Sequence, residues 1–300
     1  MAKKADIDYS YTTIDKIWRL SIGELSDFTG AKYDGDFSIS LEEAQRRKHN
    51  FIAENLKIKK GSKVLDMGCG WGPFLNYLRD IGAKGIGLTL SDAQYASCRA
   101  HGLEAYVKNC LTITPEDFGT FDAVASVGAF EHFCSIEDYR AGKQDQVYND
   151  FFKTVYELLP AGGRCFIQTM TFADSMIELE ATNIHADKDS NEYLIALIIA
   201  EFPGSWLPYG KEHLIRTAKP YFKLVNSHSG RLDYIETIKV WRKRMWAFNL
   251  QKYAIYLSMV PKLLYDQKMR ERYEVLKIAP IRVAFEREIW DHFRLVFEKV

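Results

Sequence analysis

Two stretches of the chain carry residue types that could do chemistry. One is Gly68-Cys69-Gly70-Trp71-Gly72, three glycines at alternate positions; the other is Gly128-Ala129-Phe130-Glu131-His132, a carboxylate and an imidazole side by side after a glycine. Without a Cβ, the glycine run can turn through positive φ and bring backbone N–H groups close to a ligand. Val64-Leu65-Asp66-Met67 before it reads as a short strand buried on both faces, and residues 73–78 after it read as a helix. That helix turns its free N–H groups and the positive end of its dipole toward the same ligand. Strand, glycine turn and helix predict a nucleotide-type cofactor; the bland alternative is a tight turn with no ligand. Glu131 and His132 would be unremarkable on a surface helix, but Ser126-Val127-Gly128 reads as a strand end, which makes both functional candidates beside the cofactor.

A dinucleotide site would need G-x-G-x-x-G and an acid about 20 residues further on. Here the run is G-x-G-x-G, with Asp66 inside the strand end. This form resembles the first motif of class I S-adenosylmethionine-dependent methyltransferases. The next strand ends Gly87-Leu88-Thr89-Leu90-Ser91 instead of in an acid, so the Thr89 hydroxyl and the Gln94 amide are expected to share the ribose. Asn109 and Cys110, past a third strand, are expected to face the adenine.

The elements that position these residues follow from periodicity. Strands are expected at 64–67, 84–89, 104–108, 121–127 and 163–170, alternating with helices at 73–78, 91–101 and 147–159. Such alternation implies a parallel sheet wound with right-handed crossovers and helices on both faces. Ligands then bind at the strand ends, where Asp66, Thr89, Asn109 and Gly128 fall. Before the first strand, Tyr11, Ile14, Trp18 and Leu20 lie near one helical face, and Ser40-Leu41-Glu42-Glu43 reads as a helix start, a segment expected to cover the crevice. Residues 293–297 alternate as a last strand, antiparallel beside strand five's neighbour. The parts divide as a helical cover over 1–50, a cofactor-binding core over 51–172, a helical insertion or lid over 173–220, and a C-terminal part of the core with long helices over 221–300.

Composition narrows the function classes. Three hundred residues, 47% hydrophobic and 27% charged, suffice for one large α/β domain with an insertion. The formal net charge is zero, which gives no global attraction for nucleic acid. Residues 1–7 lack the apolar core of a secretion signal and the longest apolar run, 193–200, is too short to span a bilayer, so a cytoplasmic protein is expected. Cys69, Cys98, Cys110, Cys134 and Cys165 show no metal-ligand or disulfide spacing.

The insertion is read as a wall. Residues 177–180 and 193–202 have apolar, helix-period character, and Phe202-Pro203-Gly204-Ser205-Trp206-Leu207-Pro208 is an aromatic loop, together suited to enclosing an apolar pocket opposite the cofactor. Residues 234–264 read as one long amphipathic stretch containing Trp241-Arg242-Lys243-Arg244-Met245-Trp246. That run suits peripheral contact with a membrane surface, and equally a solvated helix face with one buried side. Self-association stays open.

The order of Leu41-Glu42-Glu43-Ala44-Gln45, the glycine turn, Gly87-Leu88-Thr89-Leu90-Ser91 with Gln94, the strand end at Glu131, Leu159-Pro160-Ala161-Gly162-Gly163, Phe202-Pro203-Gly204, and Tyr234 with Thr237 and Trp241 resembles the cyclopropane fatty acid synthase family, including the mycolic acid methyltransferases, over most of the chain. The resemblance implies a class I methyltransferase fold, a Rossmann-like doubly wound sheet, mostly parallel with an antiparallel last strand. It also implies S-adenosylmethionine, held by Phe28, Thr29, Asp66, Gly68, Gly70, Trp71, Gly72, Thr89, Leu90, Gln94, Asn109, Cys110, Leu111 and Gly128. In that family a methyl group passes to a cis alkene of a lipid acyl chain, and the carbocation loses a proton to a bound bicarbonate, closing a cyclopropane or resolving otherwise.

The implied anion site falls on Gly30, Glu131, Gln168, Met170 and Tyr234, with Glu131, Tyr234, Gln168 and His132 as catalytic candidates; His132 is equally suited to a structural role. Glu131 and Tyr234 keep the family's residue types. Gln168 stands where the family has His, Gly30 where it has Cys and Met170 where it has Ile. Backbone contacts could survive at Gly30 and Met170, but Gln168 cannot carry a charge, which weakens anion binding by about 1 kcal/mol. Three readings stand: C-methylation of an unsaturated acyl chain, methylation of a small amphiphilic metabolite at carbon, nitrogen or oxygen, and cofactor binding without catalysis. A long apolar tunnel ending near Glu131 would favour the first and a short polar pocket the second.

Overall fold

The computed structural model describes residues 19–202, 204–265 and 279–300. The expected helical face at Tyr11, Ile14 and Trp18 lies outside them, and Leu20 is exposed.

Helix α1 (Leu41–Asn55) starts where Ser40 caps it, the side chain accepting from the Glu43 N–H, with Glu42 and Glu43 in the first turn. Then strand and helix alternate: β1 (Lys63–Met67), α2 (Pro73–Asp80), β2 (Lys84–Thr89), α3 (Asp92–Ala100), β3 (Ala105–Val107), α4 (Pro115–Phe118) and β4 (Ala123–Val127). After a 3-10 turn, Phe130–His132, come α5 (Ile136–Arg140), α6 (Gln144–Leu158) and β5 (Arg164–Phe172). The chain continues through a 3-10 turn at Leu179–Ala181, α7 (Asn191–Glu201), α8 (Gly210–Ala218) and β6 (Phe222–Ser229). It ends with α9 (Arg231–Trp246), α10 (Leu250–Tyr265), α11 (Pro280–Glu286) and β7 (Trp290–Lys299).

One seven-stranded sheet has the order β3-β2-β1-β4-β5-β7-β6. The first five strands pair parallel, while β7 runs antiparallel to both β5 and β6. Strand order reverses between β1 and β4, so a crevice opens outside their carboxyl ends. Side chains alternate between faces: Leu65, Val124 and Ile167 pack on one, Val64, Ala123 and Phe166 on the other. On that second face, which α1 covers, the apolar residues give way toward the crevice to Asp66 on β1, Gln168 on β5 and Arg294 on β7, all buried. The sheet is apolar through its middle and polar where the crevice opens.

Three expectations need correction. The last strand lies directly beside strand five, Gln168 opposite Arg294 and Met170 opposite His292, and not one strand removed. The sequence patterns signal no strand at β6, because Phe222-Lys223-Leu224-Val225-Asn226-Ser227-His228-Ser229 is an edge strand, exposed or half-exposed after Phe222 and too polar to signal itself. The long stretch over 234–264 is two helices: Ala247 turns extended at ψ 144°, and Lys252 Nζ donates back to the Arg244 carbonyl at the end of α9. Within the insertion, residues 177–180 form only the start of a 3-10 turn, whereas α7 forms as expected.

Candidate active site

The glycine turn is built from positive φ: 97° at Gly68, 53° at Gly70 and 83° at Gly72. A Cβ on Gly68 would lie 2.2 Å from the Ala129 Cβ, so this turn packs against the segment that carries Glu131. At Gly70 nothing lies within 4 Å, and that open side faces a cavity. Gly128, φ 68°, performs the same service at the end of β4, where a Cβ would strike Thr29 Cγ2 at 2.4 Å.

The cavity at the ends of β1, β2 and β4 is lined by twelve of the residues expected to hold the cofactor: Phe28, Thr29, Asp66, Gly68, Gly70, Trp71, Thr89, Leu90, Gln94, Asn109, Cys110 and Gly128. Ser91 caps α3 by accepting from the Gln94 N–H, and Thr89 Oγ1 donates to Gln94 Oε1 at 2.6 Å, joining the hydroxyl and amide expected at the ribose. Gly72 and Leu111 do not line it. Gly72 is the left-handed cap that starts α2, and the Leu111 N–H donates to Asn109 Oδ1 at 2.9 Å, which shapes the turn that follows β3.

Part of this cavity's wall is a buried charged cluster that the sequence patterns do not signal as a group, with Asp27, Thr29 and His49 among the lining residues. Asp27 Oδ2 contacts Lys48 Nζ at 2.5 Å and His49 Nε2 at 3.0 Å, while Thr29 Oγ1 donates to Asp27 Oδ1 at 2.7 Å. Burial opposes the Asp27 charge, but Lys48 and His49 outweigh it and hold the carboxyl below its usual range; burial keeps His49 neutral. Asp66 lacks such partners. Its Oδ1 is buried without a hydrogen bond, and burial, with the Asp27 charge, pushes the carboxyl up to about 7 against the pull of Lys48. The signal was present in the sequence: Lys48 falls on the buried stripe of α1 with Leu41, Ala44, Gln45 and Ile52, where a cation needs a partner.

A second, apolar cavity adjoins the first. Its walls include Met170 and Phe172 of β5, Ile195, Ile198 and Ile199 of α7, Trp206 and Leu207 of the following loop, Tyr234, Ile238 and Trp241 of α9, and Trp290. Phe28, Trp71, Gly128 and His132 line both cavities and form the boundary between them. Glu131 lines the apolar cavity; its Oε1 accepts from the Met170 N–H at 3.0 Å and its Oε2 is buried with no partner. Burial raises this carboxyl to about 7, against the lowering effects of the Met170 N–H, its own N–H and the Thr169 hydroxyl. His132 Nδ1 lies 2.9 Å from Ser205 Oγ, and burial pulls its imidazole down to about 4, so it is neutral.

Gly30 and Gln168 line neither cavity. Gln168 Nε2 donates to the Gly30 carbonyl at 3.0 Å, and its Oε1 accepts from Arg294 Nε at 3.1 Å. Both ends of the Gln168 side chain are thus bonded within the protein, to the backbone of residue 30 and to β7. Trp241 and Met245 are buried and Arg244 pairs with Glu42 at 2.6 Å, so the basic and aromatic run of α9 has one buried side. Among the described residues no helix is long and apolar enough to cross a membrane.

A doubly wound sheet with its last strand, β7, inserted antiparallel between β5 and β6, and a glycine turn opening on the crevice beside β1, defines a class I methyltransferase. The chain belongs to the mycolic acid cyclopropane synthetase family, which it matches over residues 1–286, and it is an S-adenosylmethionine-dependent methyltransferase. That sets aside cofactor binding without catalysis. It is 28% identical over 222 residues to cyclopropane mycolic acid synthase 2 of Mycobacterium bovis, covering 72% of each chain. Its fold is similar to mycolic acid cyclopropane synthase CmaA1 complexed with SAH and CTAB (TM-score 0.78, 22% identity, 100% and 99% of the chains covered). It is also similar to coclaurine N-methyltransferase bound to N-methylheliamine and SAH (TM-score 0.70, 15% identity, 98% and 86% covered).

Proposed function

We propose that the protein transfers a methyl group from S-adenosylmethionine to a carbon of an unsaturated lipid acyl chain. The observation that carries this reading is the shared wall: a polar crevice with a glycine cradle and an apolar chamber meet at Phe28, Trp71, Gly128 and His132. The crevice suits the donor. Asp66 Oδ1, orphaned and buried, is an acceptor awaiting a cationic group, Thr89 with Gln94 presents hydroxyl and amide to a diol, and Gly70 leaves the backbone open. Bound there, S-adenosylmethionine supplies a methyl group already activated on a sulfonium.

The chain's own residues orient and dry the reaction. Ile195, Ile198 and Ile199 of α7, with Trp206 and Leu207, line an apolar chamber for an alkyl chain and keep water from a developing cation. Tyr234 and Trp241 add aromatic side chains to the chamber, Trp241 stacked on Phe28 with ring centroids 5.0 Å apart, and Glu131 sets a carboxylate in the same wall. His132, neutral and tied to Ser205, connects the junction to the loop after α7.

The second reading, methylation of a small amphiphilic amine, draws on one observation: the unpartnered Glu131 Oε2 among aromatic rings also suits an ammonium group. Incubation with methyl-labelled donor, a lipid extract and a separate pool of small amines distinguishes the two. Label in fatty acids released by saponification supports acyl methylation, and label confined to the amines overturns it.

A further inference from the structure

Bicarbonate, implied by the resemblance, has to find donors among Gly30, Glu131, Gln168, Met170 and Tyr234, and their geometry does not suit it. The Met170 N–H is given to Glu131 Oε1, and the Gln168 amide lies between the Gly30 carbonyl and Arg294. At Gly30 a Cβ would lie 2.9 Å from Tyr234 Cγ and 3.3 Å from His292 Cε1, so the tyrosine ring packs onto bare backbone where a larger residue would hold it away. Neighbouring positive charge is already committed. Arg294 donates to Gln168, to Asp233 Oδ2 at 2.8 Å and to the Ala31 carbonyl at 2.7 Å. His292, opposite Met170, is kept neutral by burial and by the charges of Arg294 and Lys48. An anion placed here in the ligand-free protein would face the Glu131 carboxylate without a cationic side chain to offset it, an expensive arrangement in a buried site.

We infer that this chain works without bicarbonate and that Glu131, through Oε2, itself receives the proton released after methyl transfer. Glu131 is a wall of the apolar chamber, one oxygen fixed by the Met170 N–H and the other buried and unpartnered. With one oxygen held, the carboxylate keeps its orientation while the second stays available. Its raised carboxyl, about 7, lies near the working range of a proton acceptor at neutral pH. The step balances without a co-reactant. The alkene's π pair forms the new carbon–carbon bond as the methyl's bond to sulfur breaks, leaving a thioether and a positive charge on the second alkene carbon. A C–H bond next to that carbon, or on the new methyl, then breaks; its electron pair forms a double bond or closes a three-membered ring, and the proton passes to Oε2. Water takes the proton when the product leaves.

The inference rests on methyl transfer to an alkene, and its test separates the two. In the S-adenosylhomocysteine complex, carbon-13 bicarbonate followed by NMR is expected to show no bound resonance; a bound resonance overturns the inference whatever the acceptor proves to be. With the labelled acyl product as readout, turnover in carbonate-free buffer is expected within twofold of that in bicarbonate, and a tenfold loss restored by bicarbonate overturns it. Glu131→Gln keeps an acceptor for the Met170 N–H and is expected to lower kcat about 100-fold, with S-adenosylhomocysteine affinity within twofold. Glu131→Ala serves as the second variant, and near-normal kcat in either would remove Glu131 from the proton transfer.

Discussion

Arg294 on β7 and Gln168 on β5 stand opposite each other in the sheet, and the Arg294 Nε donates to Gln168 Oε1 at 3.1 Å. The same guanidinium binds Asp233, whose Oδ1 accepts from the N–H groups of Tyr33 and Asp34 at 3.0 and 2.9 Å, while Gln168 holds the Gly30 carbonyl. Two strands and α9 thus tie down residues 28–34, the segment whose Phe28 and Thr29 enter the cofactor cavity.

Asp233→Ala is expected to be costly. It leaves Arg294, wholly buried, without its ion partner and frees two N–H groups, a loss of about 3–5 kcal/mol in denaturant unfolding. A loss under about 1 kcal/mol, the size of a surface change, would show that the network does not secure the cover.

Gly70→Val should abolish cofactor binding while the fold survives. No atom lies within 4 Å of a Cβ at this position, so the side chain projects into the cavity instead of the core, and the positive φ costs about 1–2 kcal/mol. Calorimetry with S-adenosylhomocysteine reads the outcome; unchanged affinity would displace the cofactor from the glycine turn.

Affinity for S-adenosylhomocysteine is expected to rise between pH 6.5 and 8. The Asp66 carboxyl, raised to about 7, has to lose its proton before Oδ1 can face a cation, so deprotonation and binding favour one another. Around it Asp27 stays ionised and His49 neutral over that window. The slope approaches tenfold per pH unit only below about 7 and flattens above it. Asp66→Asn should abolish the slope, and a wild-type slope in that variant would assign the titration elsewhere.

Glu131→Gln should stabilise the ligand-free protein at pH 8 and leave it nearly unchanged at pH 4.5. The folded carboxyl is raised from 4.5 to about 7, so the folded state holds a proton that the unfolded chain releases as pH rises through that interval. Wild-type stability from this group is full below 4.5 and falls by up to about 3 kcal/mol by pH 7. Gln has no charge to bury and escapes the loss. Equal thermal shifts at both pH values would show that the carboxylate is not desolvated in the fold.

Where the sequence was legible, the reason is local. The glycine turn, the strand of residues 64–67, the Ser40 and Ser91 caps and the strand end at Gly128 are each set by residues within a few positions of one another, and the structure places them where periodicity does. Edge strand β6 was not legible, since its stability comes from pairing with β7 and not from its own composition. For Gln168, position along the chain says which face a strand residue takes, but not which distant atoms bond its side chain; the Gly30 carbonyl and Arg294 come from elsewhere in the fold.

The sequence by itself determined that a nucleotide-type cofactor meets a parallel sheet at Asp66 and the glycines, because hydrophobic period and backbone freedom are properties of short segments. Only the tertiary structure decided that the Gly30 carbonyl, 138 positions from Gln168 along the chain, accepts from its amide nitrogen while Arg294 donates to its amide oxygen, and that Glu131 keeps one oxygen without a hydrogen bond beside an apolar chamber. Hydrogen bonds between strands depend on the fold's register, which no short run of residues encodes.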